Sequence, residues 1–204
     1  DLEAINSLDS HNFAGYIITT GGMVKEYVLI NDINLQGSDW EPIGTSNNPF
    51  SGTLNGNGYT IKNLSIDLLG GFLAPSAGLF AYAINPEIYN LNLQGVEIDK
   101  AFRNVGSLIG HLTVSGSSII QDINILSGNI IGNTTYGSVG VSGLIGRIVL
   151  NHNLTMTSIT NNADITGQEE LGGIVGTISG QHELHLDKVI NNGDVTGSNR
   201  PAGE

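Results

Sequence analysis

A nine-residue segment occurs twice near the end of this 204-residue chain, and this repeat constrains the fold more than any other feature. Residues 159–167 and 189–197 lie 30 residues apart and are identical, or exchange valine and isoleucine, at seven of nine positions. Looser copies cover 91–98 and 123–130. Repeats of about 20–50 residues are typical of solenoids, propellers and arrays, so the chain is predicted to stack similar units.

A second repeated element, small residues followed by apolar ones, alternates with these copies. The residues before the first apolar position are Gly78, Ser107, Gly143 and Gly173, which are 29, 36 and 30 residues apart. The longest interval contains the turn-rich stretch 132–137, which we interpret as a loop insertion.

The residue pattern within one repeat predicts strands. Apolar side chains alternate at Leu91 and Leu93 and again at Val96 and Ile98, and many are β-branched. A convincing ten-residue helical pattern is missing from every repeat. Three short strands per 30 residues, joined by Gly and Asn corners, favour a parallel β-helix over a propeller, whose blades need about 40 residues. We therefore predict an all-β parallel β-helix (solenoid) of five to six coils.

The chain is predicted to contain two regions. Residues 1–26 are interpreted as an N-terminal cap with a short amphipathic helix, because Leu2, Ile5 and Leu8 are three residues apart. Residues 27–204 are interpreted as the β-helix. The sequence ends after two strands of a coil, so we expect either that the natural protein continues or that another copy stacks on this end.

Glycine and asparagine are both abundant, with 29 and 23 residues respectively. The pairs Asn161/Asn162 and Asn191/Asn192 lie at equivalent positions of successive coils. Coils stack about 4.8 Å apart, so two interpretations are open. The amides form a hydrogen-bonded ladder, or asparagine is present only because corners favour it.

Composition and charge exclude several classes of protein. The chain has no cysteine, which excludes a disulfide scaffold and cysteine-ligated metals. Seven Lys and Arg against 19 Asp and Glu give a net charge of -12, so a nucleic-acid partner is not expected. No apolar run reaches about 18 residues, so no membrane span is expected in this chain.

Several segments resemble GLUG-motif proteins. Residues 50–66 are similar to the segment that enters the motif, and the Gly-Leu and Gly-Ile elements resemble the motif itself. Upstream, 31–35 followed by 40–44 resembles the segment that precedes it. Over roughly residues 27–204 the resemblance implies a right-handed parallel β-helix of secreted or surface-anchored bacterial proteins. These include adhesin-like proteins and non-catalytic N-terminal parts of immunoglobulin A-specific metallopeptidases. Departures from the pattern are Ala77-Gly78 with Ala81, Ser107 and Ser142.

The segment 182–185, His-Glu-Leu-His, is the motif closest to a metal site. A zinc peptidase needs His-Glu-x-x-His on one face of a helix, whereas these histidines are three residues apart in a predicted strand. Glu183, His185 and Asp187 share a face, and three ligands fall short of the four in a structural zinc site. They are predicted to face solvent, with weak surface metal binding as the alternative.

Carboxylates in turn-like stretches raise the possibility of a glycosidase or polysaccharide lyase. The candidates are Asp39, Asp99, Glu169 and Glu170. Glycosidases need two carboxylates about 5–9 Å apart, and lyases of this architecture, as a class, add calcium and a basic group. Basic residues are scattered, with Lys100 and Arg103 the only close pair. An acidic chain also repels an acidic polysaccharide, so no catalytic residue is predicted.

Two other features are given structural interpretations. Residues 55–58, Asn-Gly-Asn-Gly, lack the P-loop lysine and the calcium-roll pattern, and are interpreted as a tight corner. Trp40 either packs near one end of the solenoid or stacks on a sugar. No cofactor and no metal site are predicted.

The sequence therefore favours a non-catalytic structural or binding module of an extracellular or cell-surface bacterial protein, adhesin-like in role. Its partner would be a host or cell-surface protein or glycan, recognised by outer faces and by the loops 132–137 and 99–104. Two alternatives stay open: a filament subunit that stacks end to end, and a carbohydrate-active enzyme.

Overall fold

A computed structural model describes residues 16–18, 26–37, 39–67, 76–101, 104–132 and 140–197. Within these ranges every regular element is a strand. The helix predicted at Leu2, Ile5 and Leu8 lies outside the described residues. From the predicted cap, the structure describes a short strand at 16–18, which pairs antiparallel with the first strand of the solenoid.

The strands follow the chain in groups that repeat from coil to coil. The N-terminal strands are β1 (Tyr16–Ile18), β2 (Glu26–Leu29), β3 (Ile33–Asn34), β4 (Thr53–Asn55), β5 (Thr60–Lys62), β6 (Ser65–Asp67) and β7 (Phe80–Ile84). The next two coils contain β8 (Glu87–Ala101), β9 (Val105–Gly106), β10 (Ile109–Val114), β11 (Ile119–Gly132), β12 (Val141–Ser142) and β13 (Ile145–Leu150). The last described strands are β14 (Leu154–Gly167), β15 (Leu171–Gly172), β16 (Val175–Gly180), β17 (Leu184–Asn191) and β18 (Val195–Gly197).

Equivalent strands of successive coils pair in parallel and form three stacks. One stack runs from β2 through β4, β8, β11 and β14 to β17; a second runs β7-β10-β13-β16; a third runs β9-β12-β15. The coils that begin with β8, β11 and β14 each add a strand to all three stacks, and the whole forms a β-solenoid of about five turns. This confirms the parallel β-helix predicted from the repeat.

The pairing register matches the spacings read from the sequence. Ile159 pairs with Val189, as the 30-residue repeat requires. In the second stack Ile109 pairs with Phe80 and Ile145, and Ile145 pairs with Val175. These offsets equal the spacings of 29, 36 and 30 residues between the glycine-apolar elements. The repeated glycine-apolar element therefore lies on the same side of the solenoid throughout.

The core is a column of aliphatic side chains inside the coils. Strand alternation sends every second residue inward between corners. In β11, which turns at Asp122 and shifts register after Ile125, the inward residues are Ile120, Ile123, Ile125 and Ile130, and all four are fully buried. Burial of each such side chain contributes about 1.5–3 kcal/mol.

Aromatic side chains fill the first coils. The rings of Tyr27, Phe50 and Phe80 stack along the axis, with centroids 6.3 Å and then 4.5 Å apart. Trp40 is only 3% exposed, and its Nε1 donates a hydrogen bond to the Leu79 carbonyl at 3.2 Å. Trp40 therefore packs in the core near the N-terminal end and does not present its ring to a sugar.

One corner in each of the last four coils requires a left-handed residue. Asn90, Asp122, Ser158 and Lys188 occupy equivalent positions with φ between 52° and 56°. This conformation costs a non-glycine residue about 1–2 kcal/mol, and asparagine tolerates it best because its side chain bonds locally.

Ser158→Asn is therefore expected to stabilise the protein by up to about 1 kcal/mol, because it places the better left-handed residue at this corner. Urea unfolding measures the change. The matched control is Thr160→Asn, two residues along in the same strand, where φ is not positive and no gain is expected. A loss of stability in Ser158→Asn would contradict the explanation.

Candidate functional site

The asparagine pairs form the ladder that was one of the two sequence interpretations. Asn161 Nδ2 donates to Asn191 Oδ1 at 2.8 Å, and Asn192 Nδ2 donates to Asn162 Oδ1 at 2.8 Å. Asn161 is fully buried, whereas Asn162 is exposed, so the two rungs lie on opposite sides of the sheet. Corner preference alone does not explain the inner rung.

The buried Asn161 also holds the backbone of its own corner. Its Nδ2 donates to the Ala163 carbonyl at 3.0 Å, and its Oδ1 accepts from the Ala163 N–H at 3.1 Å. Asn191 repeats the first of these bonds with Gly193 at 2.7 Å. Both amides therefore replace backbone partners that the corner does not supply.

Glycine in the second repeated element makes room for this inner rung. A Cβ on Gly143 would overlap Asn161 Nδ2, and a Cβ on Gly173 would overlap Asn191 Cγ. In the two preceding coils the residues in register with Asn161 are Ile125 and Leu93. The two sequence repeats thus face each other across the interior of the last coils, a link that the sequence alone did not show.

The histidine motif at 182–185 lies on the surface of the last described coil. His185 Nε2 lies 3.1 Å from Glu183 Oε2, as expected for residues on one face. The ring of His182 stacks on His152 of the coil below, with centroids 6.3 Å apart. In the described ranges no group of three or more His, Cys, Asp or Glu side chains could hold a metal ion.

The carboxylates considered for catalysis bond to the solenoid itself. Glu170 Oε2 accepts from Thr177 Oγ1 at 2.8 Å, and Asp39 Oδ1 accepts from the Asp67 N–H at 3.1 Å. Asp99 lies in register with Asp67 at the same corner. The side chain of Lys100, residues 102–103 of the loop 99–104 and residues 133–137 of the loop 132–137 lie outside the described residues.

A polar column that the sequence reasoning missed crosses the second sheet stack. Tyr82, His111 and Arg147 are in register on its outer side, and the rings of Tyr82 and His111 stack with centroids 5.5 Å apart. His111 Nδ1 lies 3.3 Å from Asn104 Nδ2. Burial, and then the charge of Arg147, lower the pKa of His111 below its ordinary value of 6.5.

This lowered pKa predicts a loss of stability in mild acid. The unfolded chain takes up the His111 proton at a higher pH than the native protein, so the stabilisation is complete above pH 6.5 and is lost as the pH falls through the native pKa. Urea unfolding at about pH 7.5 and about pH 5.5 measures it. Between these two pH values, the free energy of unfolding should fall less in His111→Gln than in the parent chain. In the exposed-site control His152→Gln it should fall as much as in the parent chain. Equal drops in the two variants would contradict the role of His111.

Among the described residues, Asp32 is the other group whose pKa is shifted. Its carboxylate lies 2.7 Å from Lys62 Nζ, and its Oδ1 accepts from the Thr60 N–H at 2.9 Å. These two hydrogen bonds lower the pKa of Asp32. The pair is exposed and ties the first coil to the second.

Two shallow polar grooves are present on the outside of the solenoid. One, of about 440 Å³, lies between the coils that contain β11 and β14, and we name it the β11–β14 groove. Its lining includes Ser117, Gln121, Asn153, Thr155 and Thr157. The other, of about 340 Å³, lies at a corner of the first coils near Asn34, Asn63 and Glu97.

The part of the chain that the structure describes contains no helix that could span a membrane.

Comparison with known proteins finds similarity to two much longer chains. The chain is 32% identical over 150 residues to halomucin of Haloquadratum walsbyi, which covers 68% of this chain and 1% of halomucin. It is 30% identical over 146 residues to a protein of Evansella cellulosilytica described as a Gly-rich membrane protein, covering 60% of this chain and 16% of that protein. No family model and no solved structure matches the chain, so the resemblance to GLUG-motif proteins stays a prediction.

Proposed function

We propose that the chain is a non-catalytic structural and binding module of a surface- or membrane-associated protein. The observation that carries this proposal is the similarity to halomucin and to a Gly-rich membrane protein over 68% and 60% of the chain. Both names support a location at the cell surface or membrane. The finer role, a GLUG-type, adhesin-like module that is secreted or displayed outside the cell, extends this proposal.

The architecture suits a stiff module that projects and presents its outer faces for binding. Parallel strands of successive coils share backbone hydrogen bonds, the aliphatic column fills the interior, and the inner rung between Asn161 and Asn191 joins two of the coils inside the solenoid. Such solenoids are stiff along their axis, because each coil contacts only its neighbours through a large interface. The outer faces are then available for recognition.

Labelling of intact cells tests the location. Antibodies raised against the purified chain should label intact cells that express the natural protein, and a short protease treatment of those cells should remove the label. Labelling that requires permeabilised cells would contradict the proposal.

Incubation of the chain with polysaccharides tests its non-catalytic nature, since release of shortened products would establish an enzyme instead.

End-to-end self-association is a second candidate role, because apolar side chains are exposed on the last described coil. Ile178, Leu186 and Val195 are 51%, 53% and 43% exposed, although they lie in register with Ile148, Met156 and Ile165, which are buried. Exposed apolar surface of this kind and unpaired strand edges favour association.

Light scattering of the purified chain tests this second role. Concentration-dependent assemblies should form and should be lost in Leu186→Lys, which places a charge on the exposed end. The matched control is Leu126→Lys, because Leu126 is 43% exposed on the side of the solenoid. A monodisperse monomer at high concentration, or equal loss in both variants, would contradict end-to-end stacking.

A further inference from the structure

The β11–β14 groove contains polar groups that the fold leaves unused. The hydroxyls of Ser117, Thr155 and Thr157 make no hydrogen bond with any other described residue. Asn153 Oδ1 accepts from the Glu183 N–H at 3.0 Å and Gln121 Nε2 donates to Asp122 at 3.3 Å, which leaves Asn153 Nδ2 and Gln121 Oε1 without partners there. The groove thus offers both donors and acceptors.

These groups are held at fixed spacings by the strands. Thr155 and Thr157 alternate with the buried Leu154 and Met156, so both hydroxyls lie on the outer face of β14. Gln121 pairs with Thr157 across the coil boundary. Neighbouring coils are about 4.8 Å apart and alternate residues of a strand about 7 Å apart. A ligand would meet a preformed array, which lowers the ordering cost of binding.

The charge around the groove selects against anions. Apart from the ionisable imidazole of His152, its lining is uncharged. Glu87 and Asp187 lie in register with its ends, next to Ile119 and Thr157 respectively. In a chain of net charge -12, these carboxylates repel an acidic ligand and leave a neutral one unaffected.

The groove also differs from a protein-binding surface. Protein interfaces have apolar centres enriched in Tyr, Trp, Met and Arg, whereas this groove has hydroxyls and amides with Ile119 as its aliphatic side chain. The ring of His152 lines the groove and stacks with His182.

From these observations we propose that the β11–β14 groove binds a neutral oligosaccharide. Sugar hydroxyls both donate and accept, so they match the unpaired hydroxyl and amide groups of Gln121, Asn153, Thr155 and Thr157. The C–H faces of the sugar rings pack on Ile119 and His152. The inference rests on the proposed binding role and deepens it, because it gives that role a site and a ligand class.

Calorimetric titration of the purified chain with defined oligosaccharides tests the site. The probes are the tetramers of β-linked glucose, mannose and N-acetylglucosamine, with tetragalacturonate as the acidic counterpart. We expect binding of at least one neutral tetramer and none of the acidic one. The double substitution Gln121→Ala/Thr157→Ala should weaken that binding about tenfold or more, because it removes two hydrogen-bonding side chains.

The matched control is Thr113→Ala/Asn129→Ala, which removes the same number of polar side chains from other outer faces. It should bind as the parent chain does, and circular dichroism checks that both variants are folded. The proposal is overturned if no neutral tetramer binds, if the acidic tetramer is preferred, or if the Gln121/Thr157 variant binds as tightly as the control. Labelling of intact cells tests the location separately, so the failure of either proposal is recognised by its own measurement.

Discussion

Asn161→Ala is expected to destabilise the protein by roughly 2–4 kcal/mol. The substitution leaves the Ala163 N–H and carbonyl, at a fully buried position, without the amide that binds them. It also removes the donor to Asn191 Oδ1 of the next coil. A buried unpaired polar group costs about 1–3 kcal/mol, and two or three are created here. Urea unfolding followed by far-ultraviolet circular dichroism measures the loss.

The neighbouring asparagine provides the control for this prediction. Asn162 donates to the Ile125 carbonyl at 3.1 Å and accepts from Asn192, but it is exposed to solvent, which can replace both bonds. Asn162→Ala should therefore cost less than about 1 kcal/mol. If the two variants lose equal stability, the inner rung has no special role and the asparagines serve only as corner residues.

Asn161→Asp separates hydrogen bonding from side-chain size. The new carboxylate still accepts from the Ala163 N–H, but in its charged form it cannot donate to Asn191 Oδ1 and is buried. This variant should be strongly destabilised near neutral pH and should regain part of its stability, relative to the parent chain, as the pH is lowered and the carboxyl is protonated. A loss that does not change with pH would contradict this explanation.

The solenoid could be predicted from the sequence because its strands repeat at a nearly constant interval. Residues 30 apart in 159–167 and 189–197 pair directly, so one comparison of the sequence with itself predicts both strand type and register. The 36-residue interval across 132–137 is absorbed without disturbing the pairing of Ile109 with Ile145. Insertions at a corner leave the stacked strands in place, which is why the alternation of apolar residues survived them.

Contacts between different parts of one coil could not be predicted in the same way. Gly143 and Asn161 are 18 residues apart, and no periodicity indicates that they meet inside the coil. His111 and Arg147 lie 36 residues apart, the interval already visible in the sequence, but a comparison of apolar positions does not indicate that these outward side chains share a column. The β11–β14 groove combines Ser117 and Gln121 with residues of the following coil. The signal that could have revealed it is an alignment of successive coils that compares their outward positions instead of their apolar ones.

Gly143→Ala tests whether glycine in the second repeat is required by the asparagine rung. Its Cβ would overlap both Asn161 Nδ2 and the carbonyl oxygen of Gly173, and neither can move without breaking a coil-to-coil contact. Overpacking of this kind costs about 1–3 kcal/mol, and the fixed backbone carbonyl places the expected loss near 3 kcal/mol. Gly116→Ala is the control, because its Cβ would meet only the Asn85 amide at 3.5 Å; its stability should be unchanged or slightly higher.

The double variant Gly143→Ala/Asn161→Ala identifies which of the two clashes dominates. Removal of the Asn161 amide relieves one overlap and leaves the one with the Gly173 carbonyl. Because the two side chains are in contact, their effects should not add, and the double variant should cost less than the sum of the single losses. Strict additivity would mean that Gly143 is required only by the Gly173 backbone. The glycine and asparagine repeats would then be independent features of the coil, and not two halves of one interior contact.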